Sequence, residues 1–214
     1  MSNKVALLLD GGFVKKRLHA DLHHFPTVAD VVSLCTSIVA KPELKDTELF
    51  RIYYYDAPPF EGSAKNPIDK VTTNYAVTPQ ASQNKSLMDS IELQPNFAVR
   101  KGMLIHSGWQ LNSNAIHRVA AACRAVPPNT AQQQLTASDL QANISQKGVD
   151  MRIGLDIASL ALKRIVQIVV LVTGDSDFIP AMKFARREGL RVYLAPLGQK
   201  SILRELKAHA DLVL

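Results

Sequence analysis

KVALLLDGG, Lys4–Gly12, drives an unbroken apolar run straight into an acid and two glycines. IVQIVVLVT, Ile165–Thr173, runs the same way into Gly174, Asp175, Ser176 and Asp177. A strand with one wet face alternates apolar and polar residues. These segments are apolar nearly throughout, so both of their faces must be covered. RIYYYDAPP (Arg51–Pro59) and RVYLAP (Arg191–Pro196) read as further strands, the first stopped by Asp56 and two prolines, and DLVL as a last one. Helical patterns separate them: Phe13–Leu22, Thr27–Ala40, Gly148–Leu162, Ile179–Glu188 closed by Gly189, and a closing helix in SILRELKAHA. Strands alternating with helices predict an α/β fold with a mainly parallel sheet. Such sheets form their sites at the carboxyl ends of the strands.

Acids collect at that edge. Asp10 ends the first strand, Asp56 the second, and Asp175 and Asp177 follow the strand Ile165–Thr173. Asp150 opens a helix on the side of Gly154, Ile157 and Ala161, which reads as the core-facing side, with Met151, Ile153, Leu155, Ala158, Leu160 and Leu162 widening the apolar arc. Arg152, Asp156, Ser159 and Lys163 form the opposite stripe, so Asp156 is expected in a solvated pair with Arg152. Each acid has a plain structural reading. Asp10 and Asp56 suit turns, Asp150 suits a helix cap, and Asp177 suits the cap before Pro180. Taken together, Asp10, Asp150, Asp175 and Asp177 would repel one another without a cation. A hard divalent ion that takes oxygen ligands, Mg²⁺ or Mn²⁺, is the natural neutraliser.

The rest of the chain narrows the choice. Its 214 residues fit one domain, and 47% hydrophobic with 21% charged residues is an ordinary globular composition. Cys35 and Cys123 show no CxxC spacing, which argues against a disulfide scaffold or a cysteine zinc site and suits a reducing compartment. The N-terminal apolar run is too short for a signal peptide and no segment is long enough to cross a bilayer, so a soluble, cytoplasmic protein is expected. His19, His23 and His24 lack a further ligand for zinc. DGGF lacks the P-loop lysine, and no GxSxG is present. The net charge of +6 suits an anionic partner. Lys15, Lys16 and Arg17 follow Asp10, Lys147 precedes Asp150, and Lys183, Arg186 and Arg187 follow Asp177. These read either as solvated faces or as contacts to the phosphates of a chain. A polar insert is expected around 60–146, with Ala125–Gln146 a mobile part of it.

LLLDGGFVKKRL, YYYDAPP, KGVDMRIGLDIASLAL and VLVTGDSDFIPAMKFARREGLRVYL together resemble the NYN domain, in its LabA-like branch of the PIN-like nucleases. The resemblance implies a three-layer α/β/α PIN-like fold and a Mg²⁺- or Mn²⁺-dependent ribonuclease acting on single-stranded or looped RNA. It places Asp10, Asp150, Asp175 and Asp177 at the metal, and it includes Asp156 in the helical motif. Many relatives carry DGxN at the first strand, whereas Phe13 stands at the Asn position here. The competing expectations are a non-catalytic RNA-binding or regulatory module and a phosphatase of small esters. The complete acid set argues against the first and the basic charge against the second. The oligomeric state is left open.

Overall fold

The computed structural model describes residues 3–125, 133–199 and 204–214. Two compact units can be distinguished. One comprises the chain up to Pro58, Gln83–Met103 and Lys147–Leu214; the other comprises Pro59–Ser82 and Leu104–Gln146. Of the segment 60–146, Gln83–Met103 belongs to the first unit.

The first unit is built on a six-stranded sheet in the order β10-β9-β8-β1-β2-β5. Its strands are β1 (Asn3–Asp10), β2 (Thr47–Asp56), β5 (Phe97–Lys101), β8 (Ile168–Val172), β9 (Arg191–Leu194) and β10 (Leu212–Val213). All of its neighbours pair in parallel. Continuous burial in β1 splits by parity, as period-two side chains require. Val5, Leu7 and Leu9 enter a core shared with Val14, Val31, Cys35, Ile38 and Ile91 of helices α1 (Gly11–Leu22), α2 (Val28–Val39) and α3 (Pro79–Glu92). Ala6 and Leu8 enter the opposite core, with Ile153 and Ile157 of α5 (Val149–Leu162) and Met182 and Ala185 of α6 (Ile179–Arg187). The three-layer α/β/α architecture follows. The short helix α7 (Arg204–Ala208) precedes β10; residues 200–203 of the expected closing helix lie outside the described residues.

The strand order fixes where a site can form. From β1 the chain winds out to β2 and β5, then returns to β8 beside β1 and winds the other way. The reversal between β1 and β8 is a topological switch point, where a crevice opens at the carboxyl ends of the strands. Helices α5 and α6 run against their neighbouring strands. Their first turns lie at that carboxyl edge and their last turns at the amino edge.

The second unit has a hairpin of β3 (Ser63–Lys65) and β4 (Thr72–Asn74), a two-stranded sheet of β6 (Met103–Leu111) and β7 (Leu140–Lys147), and helix α4 (Ser113–Arg124). Asn112 caps α4 by accepting from Ala115 N, and Arg118 pairs with Asp139 at 2.6 Å. The end of the segment Ala125–Gln146 belongs to strand β7, Leu140–Lys147. Residues 126–132 lie outside the described residues.

Candidate active site

Asp10 ends β1 and caps α1. Its Oδ1 accepts from Phe13 N at 3.2 Å, and its Oδ2 accepts from the Thr173 hydroxyl at 3.2 Å. Register explains the second bond. Leu9 pairs with Val172, so Asp10 and Thr173 are the next residues on each strand at the switch point. Thr173 Oγ1 also accepts from Asp175 N at 3.1 Å, which ties the turn carrying Asp175 to Asp10. Gly11 lets α1 begin this close to β2: a Cβ there would meet Tyr55 O at 2.6 Å and Asp56 Cβ at 2.9 Å.

Asp175 caps a 3-10 turn at Ser176–Phe178, its Oδ1 accepting from Asp177 N at 2.9 Å. The expectation that Asp177 caps the following helix is corrected. Phe178 is the N-cap of α6 and provides no side-chain bond, leaving both Asp175 and Asp177 exposed. Asp150 lies in the first turn of α5, whose N-cap is Gly148. The close pass of Gly102 sets where that helix starts, since a Cβ on Gly102 would meet Val149 Cγ2 at 2.6 Å. Asp150 is exposed rather than core-facing.

These four acids share one electrostatic neighbourhood. Burial holds the Asp10 carboxyl above its ordinary value, hydrogen bonds from Phe13 and Thr173 oppose this, and Asp150 and Asp175 raise it further. Partial loss of solvent at its inner side raises Asp150 as well, aided by Asp175 and Asp177. None of the four has a cationic partner among the described residues. The two other acids placed by the sheet and by α5 are each paired. Asp56, 4% exposed, meets Lys15 Nζ at 2.7 Å. Asp156 accepts from Arg100 Nε at 3.0 Å and from the Tyr55 hydroxyl at 2.9 Å. Asp156 is thus corrected from a solvated partner of Arg152; Arg152 donates instead to Gly148 O. Asp56 is more than a turn residue.

The donor set, all carboxylate oxygens, suits a hard divalent cation. Among the described residues no three His, Cys, Asp or Glu side chains are gathered tightly enough to hold an ion by themselves.

The candidate phosphate contacts separate. Lys16 is exposed on α1, and Lys147 is exposed just before the N-cap of α5. Arg17 donates from Nε to Leu197 O at 3.0 Å, in the loop after β9. Lys15 is committed to Asp56 and to Asn84 Oδ1. Lys183 and Arg187 do not flank the acids: α6 carries them to the amino edge of the sheet, where they line a cleft with Arg186 and Arg191. Phe13, at the position of the relatives' Asn, lies against Gly174, as does the side chain of Gln199. Sequence reasoning missed Gln199, for its nearness to the site arises only from the fold.

A sequence model of the NYN domain matches residues 73–214. The chain belongs to the NYN domain family. Asp150, Asp175 and Asp177 fall inside the matched span of this NYN chain, and β1, paired with β8, adds Asp10 to them. No curated protein matches. Among solved structures the NYN chain is similar to a protein of unknown function from Vibrio parahaemolyticus, at 15% identity and a TM-score of 0.50, covering 100% of this chain and 92% of that one. At that identity the likeness is one of fold, and the mixed α/β architecture agrees with the PIN-like nuclease fold of the family. Among the described residues, no helix is long and apolar enough to cross a membrane.

Proposed function

We propose that this NYN protein is a metal-dependent endoribonuclease that hydrolyses phosphodiester bonds of single-stranded or looped RNA, in the LabA-like branch of the family. One observation carries the reading. Asp10, Asp150, Asp175 and Asp177 lie near enough for Asp150 and Asp175 to act on Asp10 and for Asp175 and Asp177 to act on Asp150, with no cationic partner among the described residues, while Asp56 and Asp156 each have one. An acidic site left uncompensated in this way calls for a cation from solution.

Asp10, Asp150, Asp175 and Asp177 would hold the ion, Mg²⁺ or Mn²⁺, which when bound supplies a Lewis acid for the phosphoryl oxygens and a lowered pKa for an attacking water. Asp10 is the fixed member, its two oxygens held by Phe13 N and Thr173 Oγ1. Asp175 is oriented through its own N–H to Thr173 and its Oδ1 to Asp177 N. Asp150 and Asp177 stand exposed, where a phosphodiester can approach. Lys16, Arg17 and Lys147, on segments that begin or end at this edge, attract the phosphate chain toward a crevice that is otherwise negative. No side-chain nucleophile is required. Free thiols at Cys35 and Cys123 accord with a cytoplasmic setting.

A non-catalytic RNA-binding module is the second reading, favoured by the lack, among the described residues, of any three acids gathered around one point. A pool of single-stranded and structured RNAs, incubated with Mg²⁺, Mn²⁺ or chelator, separates the two. Cleavage with metal, lost with chelator and in Asp175→Asn, is expected. RNA that is bound but never cut leaves the binding module.

A further inference from the structure

At the amino edge of the sheet the charge is reversed. Lys183, Arg186 and Arg187 of α6, Gly189 and Leu190 of the turn, Arg191 at the start of β9 and Asp211 before β10 line a cleft of about 620 Å³. Among the described residues Asp211 is the only acid in this lining. Its Oδ1 accepts from Arg186 Nε at 2.9 Å and its Oδ2 from Val192 N at 2.7 Å. Arg186 is thereby neutralised. Lys183 and Arg187 have no ion pair among the described residues, and Arg191 has only the face of Tyr193, 5.7 Å from its guanidinium. The last turn of α6 offers a partial negative charge of roughly half a unit, short of what three cations need. Mutual repulsion of cations held around one cleft is relieved by a bound anion, as the acids at the opposite edge are relieved by a cation.

We propose that this cleft is a second phosphate-binding site, at which a single RNA strand already engaged at the acidic crevice is held by its backbone. The proposal rests on the ribonuclease reading for the identity of the chain. Two features favour a strand over a small anion. The cleft is rimmed by exposed side chains, with only Leu190 buried in its lining, so it lacks the enclosure with which small-molecule pockets cover their ligands. Its cations also follow one line, down the last two turns of α6 and on to the start of β9. The two sites are separated by the length of α6, nine residues and about 13 Å. A strand of several nucleotides can reach both; a trinucleotide held at the acids cannot. Lys183, Arg187 and Arg191 would make the substrate a long strand by preference and would add affinity that does not depend on base sequence.

The test uses the full chain carrying Asp10→Asn, so that bound RNA stays intact. Lys183→Gln, Arg187→Gln and Arg191→Gln are combined, leaving the Arg186–Asp211 pair in place, and folding is checked by thermal melts. Affinities for a long fluorescent single strand and for a fluorescent trinucleotide are measured over a range of salt. For the long strand the slope of log affinity against log salt should flatten by about 0.7 per lost contact, about 2 in all. The trinucleotide slope should change by much less. Arg187→Lys with Arg191→Lys, which keeps the charge, should keep the long-strand slope near its parent value. A long-strand slope unchanged by the Gln variants overturns the proposal, as does a loss in the Lys variant equal to that in the Gln variant. So does a trinucleotide that loses as much affinity as the long strand, which would make the cleft a small-anion site. Because binding is read in inactive protein, the two proposals fail separately. A wild-type chain that cuts no RNA with metal sinks the ribonuclease reading, whereas a cutting enzyme whose variants keep the parent slope sinks only this one.

Discussion

Lys15 Nζ lies 2.7 Å from Asp56 Oδ2, and the same ammonium donates to Asn84 Oδ1 at 2.6 Å. The pair joins the second turn of α1 to the end of β2 and to α3. Asp56 is almost wholly buried, and its remaining oxygen accepts from Ala57 N at 2.9 Å. α1 is the helix that Asp10 caps, so this bond fixes the helix beside the acidic crevice while adding no free positive charge to it.

Removing Lys15 should leave a buried carboxylate without its counter-charge. Lys15→Met is expected to lower unfolding stability by about 3 kcal/mol, in the range for breaking a buried pair. Lys15→Met combined with Asp56→Asn should recover most of that loss. Urea unfolding of the two single variants and the double variant measures the coupling. A Lys15→Met protein of unchanged stability would show that the pair is solvated in solution.

Asp10→Asn should abolish cleavage while holding or slightly raising the melting temperature of the metal-free protein. The amide keeps one oxygen for Phe13 N and sets its NH2 to donate to Thr173 Oγ1, and it removes the charge that Asp150 and Asp175 oppose. Asp10→Ala should also abolish cleavage but cost about 1 kcal/mol, through the lost cap of α1. A large drop in melting temperature for the Asn variant would make Asp10 a structural residue.

The difference between these proteins should depend on pH. Burial, together with Asp150 and Asp175, raises Asp10 above 3.8, so the folded state holds that proton more tightly than the unfolded chain does. The resulting stability is complete below 3.8 and is lost as pH rises through the raised value. Asp150 follows the same sign. The melting temperature of Asp10→Asn minus that of wild type should therefore grow from about pH 4 toward neutrality, and added Mg²⁺ should shrink the gap by stabilising wild type. A gap that is flat with pH and indifferent to Mg²⁺ would disconnect Asp10 from both the acids and the ion.

The strands and their terminal acids were legible because an unbroken apolar run needs cover on both faces, and an Asp at its end must sit where that cover stops. The side chains of α5 were less so. Counting apolar residues put Met151, Leu155 and Leu162 in the buried arc, yet they are 68%, 61% and 61% exposed. The buried face keeps Ile153, Ile157, Leu160 and Ala161 of that arc and adds Val149. That rotation brings Asp156 to the edge of the sheet, where Tyr55 and Arg100 reach it. Both partners are distant in sequence, so no local spacing announces them. Lys183 and Arg187 show the converse. They are close to Asp177 along the chain, but a helix places each successive residue about 1.5 Å further from it. Strand β7 was missed because its polar residues, the exposed Gln141 and Gln146 and the half-exposed Asn143 and Ser145 among them, carry no core signal.

Two glycines near Asp150 should respond oppositely to alanine. At Gly102 a Cβ would stand 2.6 Å from Val149 Cγ2 and 2.8 Å from Lys147 O, so the start of α5 must move. Overpacking of this kind costs about 1–3 kcal/mol. Displacing the turn that carries Asp150 by even about 1 Å should lower the cleavage rate by on the order of a hundredfold. At Gly154, in the interior of the same helix, a Cβ meets nothing within 4 Å. Gly154→Ala should stabilise the protein by about 0.5–1 kcal/mol through reduced backbone entropy in the unfolded chain. Cleavage should remain at the wild-type level, since α5 keeps its first turn in place. Urea midpoints and initial rates on one RNA, measured for both variants under the same Mg²⁺ concentration, decide the matter. If Gly102→Ala loses stability but cleaves normally, the position of Asp150 does not limit the reaction and its place among the metal-holding acids is lost.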